Sequence, residues 1–260
     1  MKRTPVIPNL RDFPEEFHSL LTGPVYDSSC SPEARVWLLD QRDGFYLKAG
    51  PKDALKTEGD MTRYFHSKGL AAEVVCYLSD SRDWLLTRRL PGEDCTHRQY
   101  LEDPTRLCDT TATLLRMLHE MDHTGCPVTD RNETYFATAQ RNYQAGYFDA
   151  GLFPEGLCSG TPEEAWHLIQ SNRKYLKPDT LLHGDYCLPN ILLDNWRFTG
   201  FIDLDSSGVG DRHIDLFWGV WTLFFNLKTN AYYDRFLDAY GRDAVEPDML
   251  RTIAAFEVFG

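Results

Sequence analysis

The sequence predicts an α+β protein of two lobes, a β-rich N-terminal lobe followed by a mainly helical C-terminal lobe. Three observations carry this. Short apolar, β-branched and aromatic runs separated by turn residues fill much of the first third. Apolar residues then recur at helical spacing through most of the remainder. Between the two regimes Pro91-Gly92 interrupts both patterns. The boundary is therefore placed after Leu90, giving a lobe of residues 1–90 and a lobe of residues 91–260.

Taken in order, Ala34–Asp40 and Gly44–Lys48 are apolar strands flanking the turn Gln41-Arg42-Asp43, which predicts a hairpin. Glu58–Lys68 places Met61, Tyr64 and Phe65 at helical spacing, and Gly69 supplies a C-terminal stop. Glu73–Leu78 and Trp84–Arg88 are β-rich runs separated by the turn-like Ser-Asp-Ser-Arg-Asp. In the second part, Pro104–Met121 sets Leu107, Thr111, Leu114, Leu115 and Leu118 on one helical face. Thr161–Leu176 follows a Gly/Ser break, with Pro162 where a first helical turn accepts it. Ile214–Leu227 is dense in apolar and aromatic residues and reads as a helix buried all round. Ala231–Tyr240 and Pro247–Phe259 read as the closing helices. Short strand-like pieces lie between them at Thr180–His183, Asn190–Leu193 and Phe198–Ile202.

Composition bounds the function. The 260 residues carry 27 Lys+Arg against 39 Asp+Glu, a net charge of −12. That balance, with no basic stripe, argues against a nucleic-acid binder. It suits a cationic small substrate drawn to an acidic cleft. No apolar run is long enough to span a membrane. The first residues lack the apolar core of a secretory signal. The seven cysteines are odd in number and form no CxxC, which fits a reducing cytoplasm better than a disulfide framework.

The chemistry concentrates in His183–Asp205. Asp185 is followed five residues later by Asn190, and thirteen residues after that by Asp203. The runs Ile191–Leu193 and Phe198–Ile202, joined by polar residues, predict a hairpin with Asn190 and Asp203 side by side at its open end. An amide oxygen beside a carboxylate makes a suitable ligand pair for Mg²⁺, a hard cation that prefers oxygen. Asp185, on the loop entering the hairpin, is placed to accept a hydroxyl proton or to hold the hydroxyl in line. Singly these are ordinary turn and capping residues; as a spaced triple they point to phosphoryl transfer.

The segment HGD-x4-N followed by IDLD resembles the core of the aminoglycoside 3′-phosphotransferases, or kanamycin kinases. The phrases VWLLD, GFYLK, WLLTRRLPGE and FEVFG resemble the same family in the same order. The resemblance implies a bilobal protein-kinase-like fold and transfer of phosphate from ATP, or GTP, to a sugar hydroxyl with Mg²⁺. It makes Lys48 the residue on the α/β-phosphates and Glu58 its ion-pair partner, with Asp60 the rival. Glu58 shares a helix face with Met61 and Phe65 and so points inward. Ser28 and Ser31 fall in the phosphate loop, which has no glycine fingerprint, and Arg88–Leu90 in the hinge whose backbone reads the adenine. His183 is structural by the same token, Asp215 braces the catalytic loop through backbone N–H groups, and Cys187 is incidental.

An aminoglycoside carries several ammonium groups, so its pocket needs carboxylates. The resemblance offers Glu257 near the C-terminus, with the Gly260 carboxylate a further candidate if the natural chain ends there, and Asp149 and Glu155 in a preceding loop. Two departures stand out: Phe224-Phe225 lie where relatives carry acids, and Ser206 where arginine is common. Another amino-sugar or amino-alcohol acceptor is the alternative substrate, and a non-catalytic kinase-like nucleotide-binding protein the alternative class. A monomer or weak homodimer in the cytoplasm, with neither nucleic acid nor membrane as partner, completes the expectation.

Overall fold

A computed structural model describes residues 3–30, 34–41, 43–151 and 160–260. Strands β1 (Thr4–Val6) and β2 (Val25–Asp27) precede β3 (Arg35–Leu39) and β4 (Phe45–Gly50). Helix α1 (Lys56–Ser67) leads to β5 (Val74–Ser79), β6 (Asp83–Arg88) and the two-residue β7 (Glu93–Asp94). Helices α2 (Arg98–Leu101), α3 (Pro104–His119), α4 (Arg131–Gln144) and α5 (Pro162–Asn172) follow. After them come β8 (Thr180–Leu182), β9 (Ile191–Asp194), β10 (Arg197–Phe201) and β11 (Gly208–Gly210). Helices α6 (His213–Leu227), α7 (Tyr233–Tyr240) and α8 (Pro247–Glu257) complete the fold.

By their internal packing the residues form two units. The first runs to Asp94 and includes Leu192–Asp205; the second holds Cys95–Ile191 and Ser206–Gly260. This differs from a single cut after Leu90, because the β9–β10 hairpin returns to the first unit. There β9 pairs with β7, Leu193 opposite Glu93 and Leu192 opposite Asp94. Phe201 N–H donates to Leu70 O at 2.7 Å, and the Phe201 ring meets Phe65 edge-on. The turn itself holds Asn195 and Trp196 at φ of 48° and 67°, the left-handed pair that a two-residue hairpin loop of type I′ requires.

The first unit is built on a six-stranded sheet in the order β1-β2-β3-β4-β6-β5, antiparallel throughout. Alternation along β4 buries Phe45, Leu47 and Ala49 against Trp37, Leu39, Trp84, Leu86, Phe13 and Phe17. The period of two sends Lys48 to the opposite face. The predicted hairpin is therefore β3–β4, with Val36 opposite Lys48. Strands β1 and β2, absent from the sequence reading, are three residues each, and Pro5 in the edge strand β1 weakens the pattern further.

The second unit is helical. Thr161 caps α5 through a reciprocal bond with Glu164, and Pro162 occupies its first turn. Helix α4 was missed from sequence because its only buried residue is Ala139. Aromatic stacking anchors it instead: Tyr143 lies 4.8 Å from Trp166, and Tyr135 4.8 Å from Phe256, between ring centres. Helix α6 corrects a second expectation. It buries Ile214, Leu216, Phe217, Val220 and Leu223, yet Trp218, Trp221 and Phe224 are half-buried and Phe225 is 45% exposed, so the helix is not enclosed all round.

Candidate active site

In the first unit, three charged side chains from distant parts of the chain converge. Lys48 Nζ donates to Glu58 Oε2 at 2.7 Å and to Asp203 Oδ1 at 2.6 Å. Strand β4 supplies the lysine from the face opposite the aromatic core. The first turn of α1 supplies Glu58, on the stripe shared with Met61, Thr62 and Phe65. The rival Asp60 faces outward and pairs with Lys56 and Arg63. Burial opposes the lysine charge, but Glu58 and Asp203 outweigh it and hold the ammonium above its ordinary pKa. Burial, with the nearby Asp203 charge, pushes Glu58 up to about 7 against the pull of Lys48. Asp203 follows β10 with φ of 62°, a conformation aspartate tolerates better than most side chains. Its side chain is 48% exposed, so the carboxylate remains open to a cation.

The remaining candidates of this unit have other surroundings. Ser28 is buried, its N–H donating to Val36 O at 2.8 Å, and the neighbouring Ser29 hydroxyl accepts from Val36 N–H at 3.0 Å. Ser31 lies outside the described residues. The Arg88 guanidinium is committed to Glu73 at 2.6 Å. Leu90 is half-buried.

In the second unit, the loop between β8 and β9 carries Asp185 and Asn190. Asn190 Nδ2 donates to Asp185 Oδ2 at 2.8 Å and to Asp185 O at 3.0 Å. That leaves the Asn190 amide oxygen as the end suited to a hard cation. Gly184 lies between His183 and Asp185 with φ of 84°, and a Cβ there would sit 1.8 Å from Ser206 O. Only glycine satisfies both constraints. Asp215, at the start of α6, accepts from the N–H groups of His183 and Gly184, each at 2.7 Å. His183 is fully buried, and its Nδ1 accepts from Asp185 N–H at 3.3 Å. Burial, together with the Asp185 charge, keeps the Cys187 thiol well above its usual pKa, which disfavours the thiolate form.

Glu257 ends α8 in the same unit. Tyr135 O–H donates to it, and Trp218 adds a second hydrogen bond. Burial, aided by the Asp185 charge, pushes Glu257 up to about 7 against those donors. The influence of Asp185 sets the two carboxylates in one electrostatic neighbourhood. Asp149 is half-buried, and its Oδ1 accepts from Gly151 N–H at 2.9 Å. Glu155 lies outside the described residues. Gly260 O accepts from Asn142 Nδ2 at 3.3 Å. Tyr135 and Trp218 were not foreseen. Trp218 was legible only as part of an apolar helix, and Tyr135 lay in a helix whose polarity hid it.

Among the described residues no three His, Cys, Asp or Glu side chains are grouped as a self-contained metal centre.

The sequence model of the phosphotransferase enzyme family matches residues 32–253. The chain belongs to that family. It is 49% identical over 255 residues to a probable aminoglycoside 3′-phosphotransferase of Lactococcus lactis, covering 97% of each chain. It is 28% identical over 258 residues to an aminoglycoside 3′-phosphotransferase of Streptomyces fradiae, covering 92% of this chain and 94% of the relative. Its structure matches that of an aminoglycoside-3′-phosphotransferase of type VIII with a TM-score of 0.72 at 24% identity, over 90% of this chain and 91% of the other. It also matches a Streptomyces rimosus phosphotransferase in complex with ADP and streptomycin, TM-score 0.68 at 21% identity, over 96% and 95%. The structural likenesses establish the protein-kinase-like α+β fold for this family member.

Proposed function

We propose that this protein is an ATP-dependent aminoglycoside 3′-phosphotransferase that phosphorylates antibiotics of the kanamycin and neomycin type in the cytoplasm and thereby confers resistance. The observation that carries the reading is the convergence of Lys48 on Glu58 and Asp203 within hydrogen-bonding distance. The acceptor class rests on the near full-length Lactococcus relative.

In this mechanism Lys48 binds the α/β-phosphates, and Glu58 fixes its position. Asn190 and Asp203 are the oxygen donors for Mg²⁺, which when bound neutralises phosphate charge. The loop that carries Ser28 and Ser31 takes part in phosphate binding, and the backbone from Arg88 to Leu90 reads the base. Asp185 orients the acceptor hydroxyl and takes its proton as that oxygen bonds to the γ-phosphorus. The bond from the γ-phosphorus to the bridging oxygen breaks, and ADP leaves. The work is positioning and charge neutralisation, with no covalent enzyme intermediate. Glu257, Asp149 and Glu155 pair with substrate ammonium groups. The protein acts as a monomer or weak homodimer, with ATP as the donor and GTP as the alternative.

Phosphorylated kanamycin, isolated after incubation with Mg-ATP, tests this directly. One added phosphate, located on the 3′ oxygen by phosphorus–proton NMR coupling, is expected. Phosphate at another position would overturn the regiochemistry, and an unmodified antibiotic would overturn the acceptor class.

A further inference from the structure

The proposed mechanism uses Asp185, but the loop that delivers it is tied to a buried chain of side chains to which no step assigns a role. Asp215 accepts from His183 N–H and Gly184 N–H, and its third partner is His119 of α3, with Nε2 3.2 Å from Oδ2. The other ring nitrogen of His119, Nδ1, lies 2.8 Å from the hydroxyl of Tyr240 at the end of α7. Asp215 is 0% exposed, Tyr240 1% and His119 6%, so water does not compete for these bonds.

The direction of each bond follows from its partners. Both Asp215 oxygens already accept backbone N–H groups, so the side chain acts as acceptor toward His119 too and the His119 proton resides on Nε2. A neutral imidazole then offers Nδ1 as acceptor, and Tyr240 O–H must donate to it. The nearby Arg212 charge favours the same polarity, because it attracts the hydroxyl oxygen and turns the hydroxyl proton toward His119. Burial, supported by the Arg212 charge, outweighs Asp215 and keeps His119 below its usual pKa, hence neutral. The Tyr240 ring is held separately: it meets the His119 ring edge-on at 5.6 Å, and Arg116 lies over it at 5.5 Å.

We propose that His119 and Tyr240 are positioning residues for phosphoryl transfer. Tyr240 fixes the tautomer of His119, His119 fixes the Asp215 carboxylate, and Asp215 holds the His183-Gly184 backbone that delivers Asp185. As far as it concerns rate, the inference rests on the proposed activity; as far as it concerns the loop, it does not.

Tyr240→Phe removes the hydroxyl and keeps the ring. It is expected to lower kcat about tenfold, to leave KM for ATP and for kanamycin within about twofold, and to leave the melting temperature nearly unchanged. Hydrogen exchange at the backbone N–H groups of His183 and Gly184 should accelerate in the nucleotide-free protein. His119→Leu should reproduce the kcat loss, and His119→Gln, whose amide N–H can reach Asp215, should recover part of it. Wild-type kcat and exchange in Tyr240→Phe would overturn the proposal, as would a lowered melting temperature without a kcat change, or a loss confined to KM. If the wild-type protein turns over no aminoglycoside, the proposed function fails. The exchange experiment then still decides the relay: unchanged protection at His183 and Gly184 would overturn it.

Discussion

The Lys48 ammonium lies 2.6 Å from Asp203 Oδ1, an ion pair between residues 155 apart in the chain. With Glu58 on its other side, the lysine is shared by two carboxylates. A strand whose alternation serves the aromatic core and a hairpin that returns from far along the sequence meet in this one contact.

Lys48→Met is expected to reduce kcat/KM for ATP by about 100-fold or more. It also leaves Glu58, whose side chain is 8% exposed, without its cation. A buried carboxylate in that state is costly when ionised and tolerable when protonated. The melting temperature should therefore fall more at pH 8 than at pH 6. Initial rates against ATP and melting curves at the two pH values check both parts; an unchanged KM for ATP would remove Lys48 from the nucleotide site.

Asp185→Ala is expected to abolish detectable turnover while nucleotide affinity stays close to wild type, because this carboxylate serves the acceptor side. Calorimetric titration with ADP, set beside the rate assay, separates the two. Near-wild-type kcat would show that another group receives the hydroxyl proton.

Glu257 gives a pH dependence of known sign. Its pKa, raised from 4.5 to about 7, makes it a carboxylate above pH 7 and increasingly neutral below. Only the ionised form attracts an ammonium group, so KM for kanamycin should rise as pH falls through 7. Stability runs the other way. Between about pH 4.5 and 7 the folded form holds the proton more tightly than the unfolded one, so stability declines as pH rises across that window. Glu257→Gln should flatten both dependences, and a KM profile unchanged by this substitution would take Glu257 out of the substrate pocket.

Gly184→Ala places a methyl group 1.8 Å from Ser206 O at a φ of 84°. Backbone must move, and the backbone that moves is the one Asp215 holds. A loss in kcat of about 100-fold is expected, and normal turnover in this variant would mean the loop relaxes without displacing Asp185.

Much of this was legible in the sequence, for physical reasons. The period of two in GFYLK sets Lys48 apart from the buried strand face, and the i, i+3, i+7 spacing of Glu58, Met61 and Phe65 turns the glutamate inward rather than Asp60. The apolar runs after Asn190 foretold the β9–β10 hairpin. Contacts that depend on distant partners were not legible. His119 and Tyr240 each sit on helices whose patterns show only burial, and their hydrogen bond joins residues 121 apart. Helix α4 has no aliphatic stripe, so Tyr135 gave no signal of its bond to Glu257.

The most direct test of the central claim is ADP release from Mg-ATP with kanamycin and, in parallel, with tobramycin, which lacks the 3′-hydroxyl. Turnover with kanamycin and none with tobramycin is the predicted result. Equal turnover with both would contradict transfer to the 3′-hydroxyl, and turnover with neither would contradict an aminoglycoside acceptor altogether.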